Sequence, residues 1–566
     1  MNDAANRLHA LRQAATARYR NGEFEAAEQL IGEALKLDPN SPELWSNRGT
    51  AQAAAKHHEA AIASFSRALQ LNPGFLGAQA NRAHALFELQ RYAEAIPDYE
   101  ALLARDPNHA YSAGNLVFCR LQCCDWSNFE SDRRIMLARL RAGQRVLPPV
   151  LSVALLDSAA DQLTAAQIVS RDKFPPARPL WRGEIYRHDR IRLAYVSADF
   201  HAHATAVLMA GVFEQHDHSR FETIAISFGR DDGSRLRGRV ANAFDSFIDA
   251  RGKSDGEIAQ TIREREIDIA IDLKGYTSEA RPTVFSLRPA PIQVNYLGFP
   301  GTMGAPFMDY LIADRTVAPD AHKAFYSEQI VQLPDTYQPN DRSRETAAGT
   351  IDRASAGLPE NGFVFCCFNN SYKIQPPLFD VWMRLLRDVR GSVLWLLGDN
   401  AAATRNLKRE AASRGVDPER LVFAARKDLP EHMARHRLAD LFLDTLPYNA
   451  HTTASDALWT GLPVVTCRGN TFAGRVAASL LHAAGLPELV TGSLADYESL
   501  ALRLARDPSA LAALKLRLVQ TREAVPLFDA TRFTRHLEAA YVAMYERYQR
   551  GLPPAAFAVT DAAPAR

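Results

Sequence analysis

Three polar groups of this chain each follow a short apolar run of strand length. Asn369, Asn370, Tyr372 and Lys373 come after FVFCCF at 363–368; Arg426, Lys427, His432 and Arg435 after LVF at 421–423; His451, Thr452, Thr453 and Asp456 after LFL at 441–443. Ligands of open α/β sheets bind beyond the carboxyl ends of strands, where all three groups fall. The stretch 441–465, LFLDTLPYNAHTTASDALWTGLPVV, reads as strand, polar loop, helix and strand. Its helix opens near His451 with a capping box of Thr453 and Asp456, and stops at Gly461 and Pro463. The first amides of such a helix lack intrahelical partners and the helix dipole favours an anion beside them. Lysine, helix start and carboxylate together suit a diphosphate followed by a ribose. Lys373 would neutralise the phosphates, the amides of His451, Thr452 and Thr453 would cradle them, and Asp456 would accept from ribose hydroxyls. His432 and Arg435 are placed to stack on or hydrogen-bond a base; taken singly, Lys373 and His432 also read as ordinary surface side chains.

These groups need strands to hold them. Strand candidates at 191–196, 223–226, 267–273, 292–296 and 310–313 are separated by segments long enough for crossover helices, which predicts a parallel sheet covered on both faces. A second set lies at 363–368, 393–397, 421–423, 441–443, 464–466 and 488–490. Two doubly wound, Rossmann-like domains follow, at 188–340 and 341–530, with a cleft between them as the natural ligand site. The helix 531–550 puts Phe533, Leu537, Ala540, Tyr541, Met544, Tyr545 and Tyr548 on one face and should pack across both domains. The tail 551–566, rich in Pro and Ala, reads as loose.

Ahead of the sheets, residues 1–120 repeat with a period of 34: Pro39, Pro73 and Pro107 close successive units, and Ala27, Ala61 and Ala95 recur at the same spacing, as do Ile31, Phe65 and Tyr99. This resembles the tetratricopeptide repeat, an α-solenoid whose stacked helix pairs form a groove for extended peptide. Asn47, Asn81 and Asn115 also fall 34 apart on the first helices, either as a row of amides for the backbone of an acceptor chain or as solvated polar positions. The period is lost over 121–187, which reads as capping and linker helices.

Bulk properties narrow the function. The chain has 566 residues, 47% hydrophobic and 23% charged, and a net charge of +1, so no global electrostatic case exists for nucleic acid or an acidic membrane surface. Six cysteines without paired C-x-x-C spacing read as buried thiols of a reducing compartment. There is no signal-peptide core and no run of about 18 apolar residues, which predicts a cytoplasmic protein. His201-Ala202-His203 lacks a third metal ligand, no D-x-D sequence is present, and the glycines at 233 and 238 lack the Lys-Ser/Thr ending of a P-loop. His203 is the neutral-pH base candidate of the first sheet's motifs, or else a structural histidine.

With these residues in hand the chain resembles the O-linked N-acetylglucosamine transferases of intracellular proteins. The resemblance rests on the repeats, YVSADFHAHAT at 195–205, IDLKGYT at 271–277, RPAPIQVNYLGFPGTMG at 288–304, FNNSYKI at 368–374 and NAHTTASDALWTGLPVVT at 449–466. It implies a two-domain GT-B fold and inverting, metal-independent transfer from UDP-N-acetylglucosamine to serine and threonine, with no cofactor. By resemblance Lys373 holds the pyrophosphate with His451, Thr452 and Thr453, Asp456 the ribose, His432 and Arg435 the uracil, and His203 lies next to sugar and acceptor. Asn370 stands where the animal enzymes have a glutamine, and either Arg426 or Lys427 takes the part of the uridine-side lysine. A UDP-binding peptide scaffold without transfer, or a transferase using UDP-glucose or an asparagine acceptor, remain the alternative readings. The oligomeric state is not legible.

Overall fold

The repeat period sets the first part of the fold. In the computed structural model, which describes residues 2–347 and 351–560, three antiparallel helix pairs run Asn2–Arg20 with Phe24–Leu37, Pro42–Ala54 with His58–Leu71, and Leu76–Glu88 with Tyr92–Arg105. Ala27, Ala61 and Ala95 have no exposed surface, so each pair closes on a methyl group. A Cβ on Gly49 would meet the Phe65 ring at 2.7 Å, which explains why a glycine faces the aromatic one helix away. The helices Ser112–Gln122 and Phe129–Arg141 continue the series.

The chain divides into two compact units, residues 1–136 with 145–147 and residues 137–144 with 148–566. The segment 121–187, expected to act as one capping piece, is therefore split. Its helices Pro149–Leu155 and Ala159–Lys173 belong to the second unit, where Ala154 O accepts from Gln375 Nε2 at 2.6 Å and Phe174 stacks on Tyr276 at 6.0 Å.

The second unit holds two sheets in which every pairing is parallel. β1 (Ile191–Ser197), β2 (Phe221–Ser227), β3 (Ser246–Asp249), β4 (Ile269–Asp272), β5 (Ile292–Asn295), β6 (Tyr310–Asp314) and β7 (Gln329–Leu333) build the first. β8 (Val364–Cys367), β9 (Val393–Leu397), β10 (Leu421–Ala424), β11 (Leu441–Leu443), β12 (Val464–Cys467) and β13 (Val490–Thr491) build the second. With the terminal strand β14 (Phe557–Ala558), the orders are β14-β7-β6-β5-β4-β1-β2-β3 and β10-β9-β8-β11-β12-β13. In each sheet the chain lays three strands to one side and then reverses, so the crevice of a doubly wound fold opens between β1 and β4 and again between β8 and β11. The central strands are buried on both faces, as the unbroken apolar runs require.

β3, β7 and β14 were not expected. β3 carries only Phe247 and Ile248 between polar ends, β7 is interrupted by Gln332, and both β3 and β14 are edge strands of four and two residues. The tail read as loose is instead tied down over its described part: Val559 N donates to Gln332 O at 2.9 Å, and Phe557 packs edge-on to Tyr310. The free edge of β7 supplies backbone partners that composition does not reveal. Residues 561–566 lie outside the described residues. Among the described residues no helix is long and apolar enough to cross a membrane.

The last helix, Ala530–Gln549, returns to the first sheet. Glu538 accepts from Asp217 N at 2.8 Å and stands 3.0 Å from His216 Nδ1, whose Nε2 lies 2.8 Å from the Tyr195 hydroxyl; Tyr195 in turn donates to Tyr541 at 3.1 Å. Replacing Glu538 by alanine leaves the buried His216 imidazole and a partly buried amide without this acceptor and should destabilise the first sheet by about 2 kcal/mol, while Glu538→Gln, which keeps an acceptor, costs less. Calorimetric unfolding of the two variants checks the order.

Candidate functional site

The crevice of the second sheet collects the predicted cation and the predicted helix start. Lys373 ends a short 3₁₀ turn, Ser371–Lys373, directly after β8. Its Nζ donates to Asn449 O at 2.9 Å and lies 3.7 Å above the centre of the Tyr448 ring, and the side chain is almost fully buried. Burial lowers its pKa to about 8, against the pull of Asp444, which keeps it from falling further. Asp444 is itself pushed up to about 7 by burial while it accepts from Thr445 N, Ala450 N and Thr466 Oγ1. These bonds shape the 444–450 loop: a buried carboxylate gathers its own loop, and the neighbouring ammonium is held by a carbonyl and a ring.

His451 takes the N-cap position of the helix Thr452–Trp459, with the Tyr448 ring tilted against its imidazole at 5.0 Å. Ala454 is the first amide to donate back to His451 O, so Thr452 and Thr453 N–H precede the helical ladder at the end where the dipole is positive. The shared Tyr448 ring puts Lys373 and His451 in one place, and the nearby ammonium, after burial, helps keep the imidazole uncharged. This end of the crevice therefore offers one ammonium and a helix start to an anion.

The capping box does not form. Thr453 sits one residue inside the helix, and its hydroxyl donates to Asn369 Oδ1 at 2.5 Å; Asn369 Nδ2 donates onward to Thr445 at 2.8 Å. Asp456 is buried and receives Arg344 Nη1 at 2.6 Å, and burial, opposed by that guanidinium, raises its pKa to about 6. The expected ribose acceptor is thus tied to the connection between the sheets. Gln338 of the same connection donates to Ser455 at 2.7 Å, and Arg239 of the first sheet's domain pairs with Asp341. Sequence reasoning missed Arg344 because its partner lies 112 residues on.

The base-side residues divide. His432 and Arg435 share the helix Leu429–Arg435, with Arg435 stacked 4.2 Å over Phe368 at the end of β8 and donating to Ala425 O at 2.8 Å. Burial lowers the pKa of both, and His432 is held well below its ordinary value. Arg435 is thus spent on its own fold, with its planar face on Phe368. Lys427 is exposed and paired with Glu431 at 3.3 Å; Arg426 is exposed and paired with Asp399. Asn370 is exposed at the start of the 3₁₀ turn. The structure gathers Lys373, His451, Thr452 and Thr453 closely, adds Asp456 from behind, and leaves Lys427 at the surface.

The first sheet carries its own polar cluster at the β1/β4 crevice. Asp199 and Lys274 form a buried ion pair with both carboxylate oxygens 2.8 Å from Nζ. Asp272 turns the chain there by accepting from Lys274 N and Gly275 N, and a Cβ on Gly298 would meet Leu273 O at 2.1 Å, so two loops close on each other. His203 caps the helix Ala204–Phe213, and His201 stands 3.9 Å from Asp232. Among the described residues no group of three or more His, Cys, Asp or Glu is arranged to hold a metal ion.

In the other unit Asn47 and Asn81 are exposed on the first helices of successive pairs, and Asn81 Nδ2 reaches Thr50 at 3.4 Å. Asn115 is half-buried and donates to Tyr99 at 3.3 Å, so the row of exposed amides is two residues long rather than three.

The model of glycosyl transferase family 41 matches residues 167–346 and 340–537, and tetratricopeptide models match 12–74 and 77–109. The chain is 36% identical over 471 residues to a protein of Arabidopsis thaliana named probable UDP-N-acetylglucosamine--peptide N-acetylglucosaminyltransferase SEC, covering 78% of this chain and 48% of that protein. A UDP-N-acetylglucosamine--peptide N-acetylglucosaminyltransferase of Caenorhabditis elegans is 29% identical over 484 residues, 66% of this chain and 42% of that one. The chain spans about half the length of the curated relatives it matches. Among solved structures, a mutant of the Thermobaculum terrenum O-GlcNAc transferase superposes with a TM-score of 0.70 at 27% identity, covering 97% of this chain and 99% of that one.

The Arg344–Asp456 pair makes a direct prediction. Arg344→Met strands a buried carboxylate and should cost about 3 kcal/mol, and adding Asp456→Asn to it should recover most of the loss. Denaturant unfolding of the single and double variants measures the cycle.

Proposed function

The chain belongs to glycosyl transferase family 41, and from that premise we propose that it transfers N-acetylglucosamine from UDP-N-acetylglucosamine to serine and threonine hydroxyls of intracellular proteins. The anomeric centre inverts, no metal is required, and the solenoid binds the acceptor. The observation that carries the reading is Lys373, a buried ammonium at the β8/β11 crevice whose Nζ donates to the carbonyl of Asn449, two residues along the chain before the helix cap His451. In an inverting transfer the acceptor oxygen bonds to the anomeric carbon on the face opposite the nucleotide. The bond from that carbon to the phosphate oxygen breaks, its electron pair leaves with UDP, and the hydroxyl proton is released. The charge that develops on the diphosphate is met by Lys373 and by the amides of Thr452 and Thr453, groups already in place before the reaction. This supply of positive charge is why the proposal needs no metal, and transfer should persist in EDTA.

Asp456, His432 and Arg435 line the nucleoside side of this proposal and Asn370 and Lys427 its surface rim. Asp456 would meet the ribose only by sharing its carboxylate with Arg344. The two exposed amides, Asn47 and Asn81, are the part of the solenoid row that fits an acceptor backbone, while Asn115 donates to Tyr99. A cytoplasmic location accords with an intracellular acceptor.

The pKa of Lys373 gives this reading a pH signature. A phosphate is paired only by the protonated form, so UDP affinity should hold up to about pH 8 and then fall, approaching about tenfold per pH unit. Lys373→Met should weaken UDP at least about tenfold at pH 7 and flatten that limb. Titration calorimetry from pH 6.5 to 9.5 measures both, and radiolabelled donor incubated with lysate measures transfer. Unchanged UDP binding by the variant would sink the site; UDP binding without label in any protein would sink the transferase.

A further inference from the structure

We propose that His203 meets the substrate as a hydrogen-bond donor through its Nε2–H, and that the buried Asp199–Lys274 ion pair is the positioning device that keeps the imidazole in that tautomer. The proposal rests on the transferase reading for what the donor meets, but its first test does not. Nδ1 of His203 accepts from Thr205 N at 3.2 Å, the bond by which the side chain caps its own helix. A neutral imidazole whose Nδ1 accepts must carry its proton on Nε2. The side chain is 43% exposed while its capping edge is turned inward, so the edge left for a ligand is the one that donates.

One neighbour opposes this arrangement. Asp199 Oδ2 stands 3.4 Å from Nδ1, and a free carboxylate at that distance would draw the proton to Nδ1 and leave Nε2 as a base. Lys274 prevents it. Its Nζ is 2.8 Å from both oxygens of Asp199, including the Oδ2 that faces the ring, and Thr205 Oγ1 approaches Oδ2 at 3.5 Å, so the carboxylate's charge is offset where it meets His203. The other charged or titratable groups around His203 are His201, two residues back in the same loop, and Glu279, beyond β4. Burial, assisted by Lys274 and His201 and opposed by Asp199 and Glu279, holds the ring below its ordinary pKa, which agrees with a neutral donor. The pair lies at the β1/β4 crevice, the counterpart in the first sheet of the Lys373 crevice in the second. The base expected at His203 is replaced by a donor to an oxygen of the sugar or diphosphate.

The experiment labels the full chain with imidazole-15N histidine and reads the His203 tautomer by long-range 1H–15N correlation, assigned by the signal missing in His203→Gln. The native ring should show protonated Nε2 and unprotonated Nδ1, and Lys274→Met, by releasing Asp199, should move the proton toward Nδ1. A native ring protonated on Nδ1, or a Lys274→Met ring indistinguishable from native, overturns the proposal. Should Lys274→Met fail to fold, transfer kinetics decide: His203→Gln, whose amide donates near the Nε2 position, should stay within about tenfold of native, and His203→Ala should lose about a hundredfold in kcat. Equal loss in both variants overturns the donor role. A chain that shows the stated tautomers yet transfers no sugar refutes the transferase reading and leaves the assignment of His203 standing.

Discussion

A lysine ammonium removed from water is the constraint on which the second sheet's crevice depends. Lys373 has no carboxylate within ion-pair distance among the described residues; it has Asn449 O and the face of Tyr448. The nearest carboxylate, Asp444, is occupied with loop amides and the Thr466 hydroxyl. An ammonium so placed is under-compensated, which is why its pKa falls, and an anion brought to it would restore the balance. The loop 444–450 is therefore built to keep a charge waiting rather than to satisfy it.

Strand order explains why such a charge is reachable at all. Both sheets run outward three strands, return to the centre and proceed the other way, so at β1/β4 and β8/β11 the connecting loops separate and leave a gap. The Lys373 and Asp199–Lys274 clusters lie at these two gaps, and Arg344 and Gln338 lie on the segment that joins the sheets. That segment is fastened repeatedly: Gln338 to Ser455, Asp341 to Arg239, Arg342 to Phe528 O and Arg344 to Asp456. Asp314 adds a further tie by accepting from Ser479 across the two domains at 2.6 Å. The two gaps are held in fixed relation by ion pairs and hydrogen bonds rather than by apolar packing alone, while Glu538 fastens the terminal helix to the first sheet's domain.

What the sequence made legible followed from local rules. Helix pairs were set by a 34-residue period whose alanines are fully buried, and strands by runs such as FVFCCF and VLWLL that no helix period interrupts. The helix start at His451 was legible from Pro447, Asn449 and the flanking strands, although the cap is His451 and the Thr453–Asp456 box is not formed. What escaped was non-local. Arg344, Asp444 and Tyr448 act through partners chosen by the fold; Thr453 abandons a local cap for Asn369, 84 residues away. β14 escaped for the same reason, since a strand of two residues is defined by the edge it joins and not by its own composition.

The two gaps solve opposite electrostatic problems. At β8/β11 a cation is stripped of partners so that it answers to the ligand's charge. At β1/β4 a cation of the same type, Lys274, is given two carboxylate oxygens so that it answers to nothing outside. The difference suits a reaction in which charge accumulates on one side only: the leaving diphosphate gathers negative charge, while the attacking hydroxyl and the sugar pass through positions that need orientation more than neutralisation. A second bare ammonium beside the acceptor would hold the diphosphate on the wrong side of the sugar, and a bare Asp199 would repel it. Pairing Asp199 with Lys274 sets each charge against the other beside His203, whereas Lys373 faces a carbonyl and a ring.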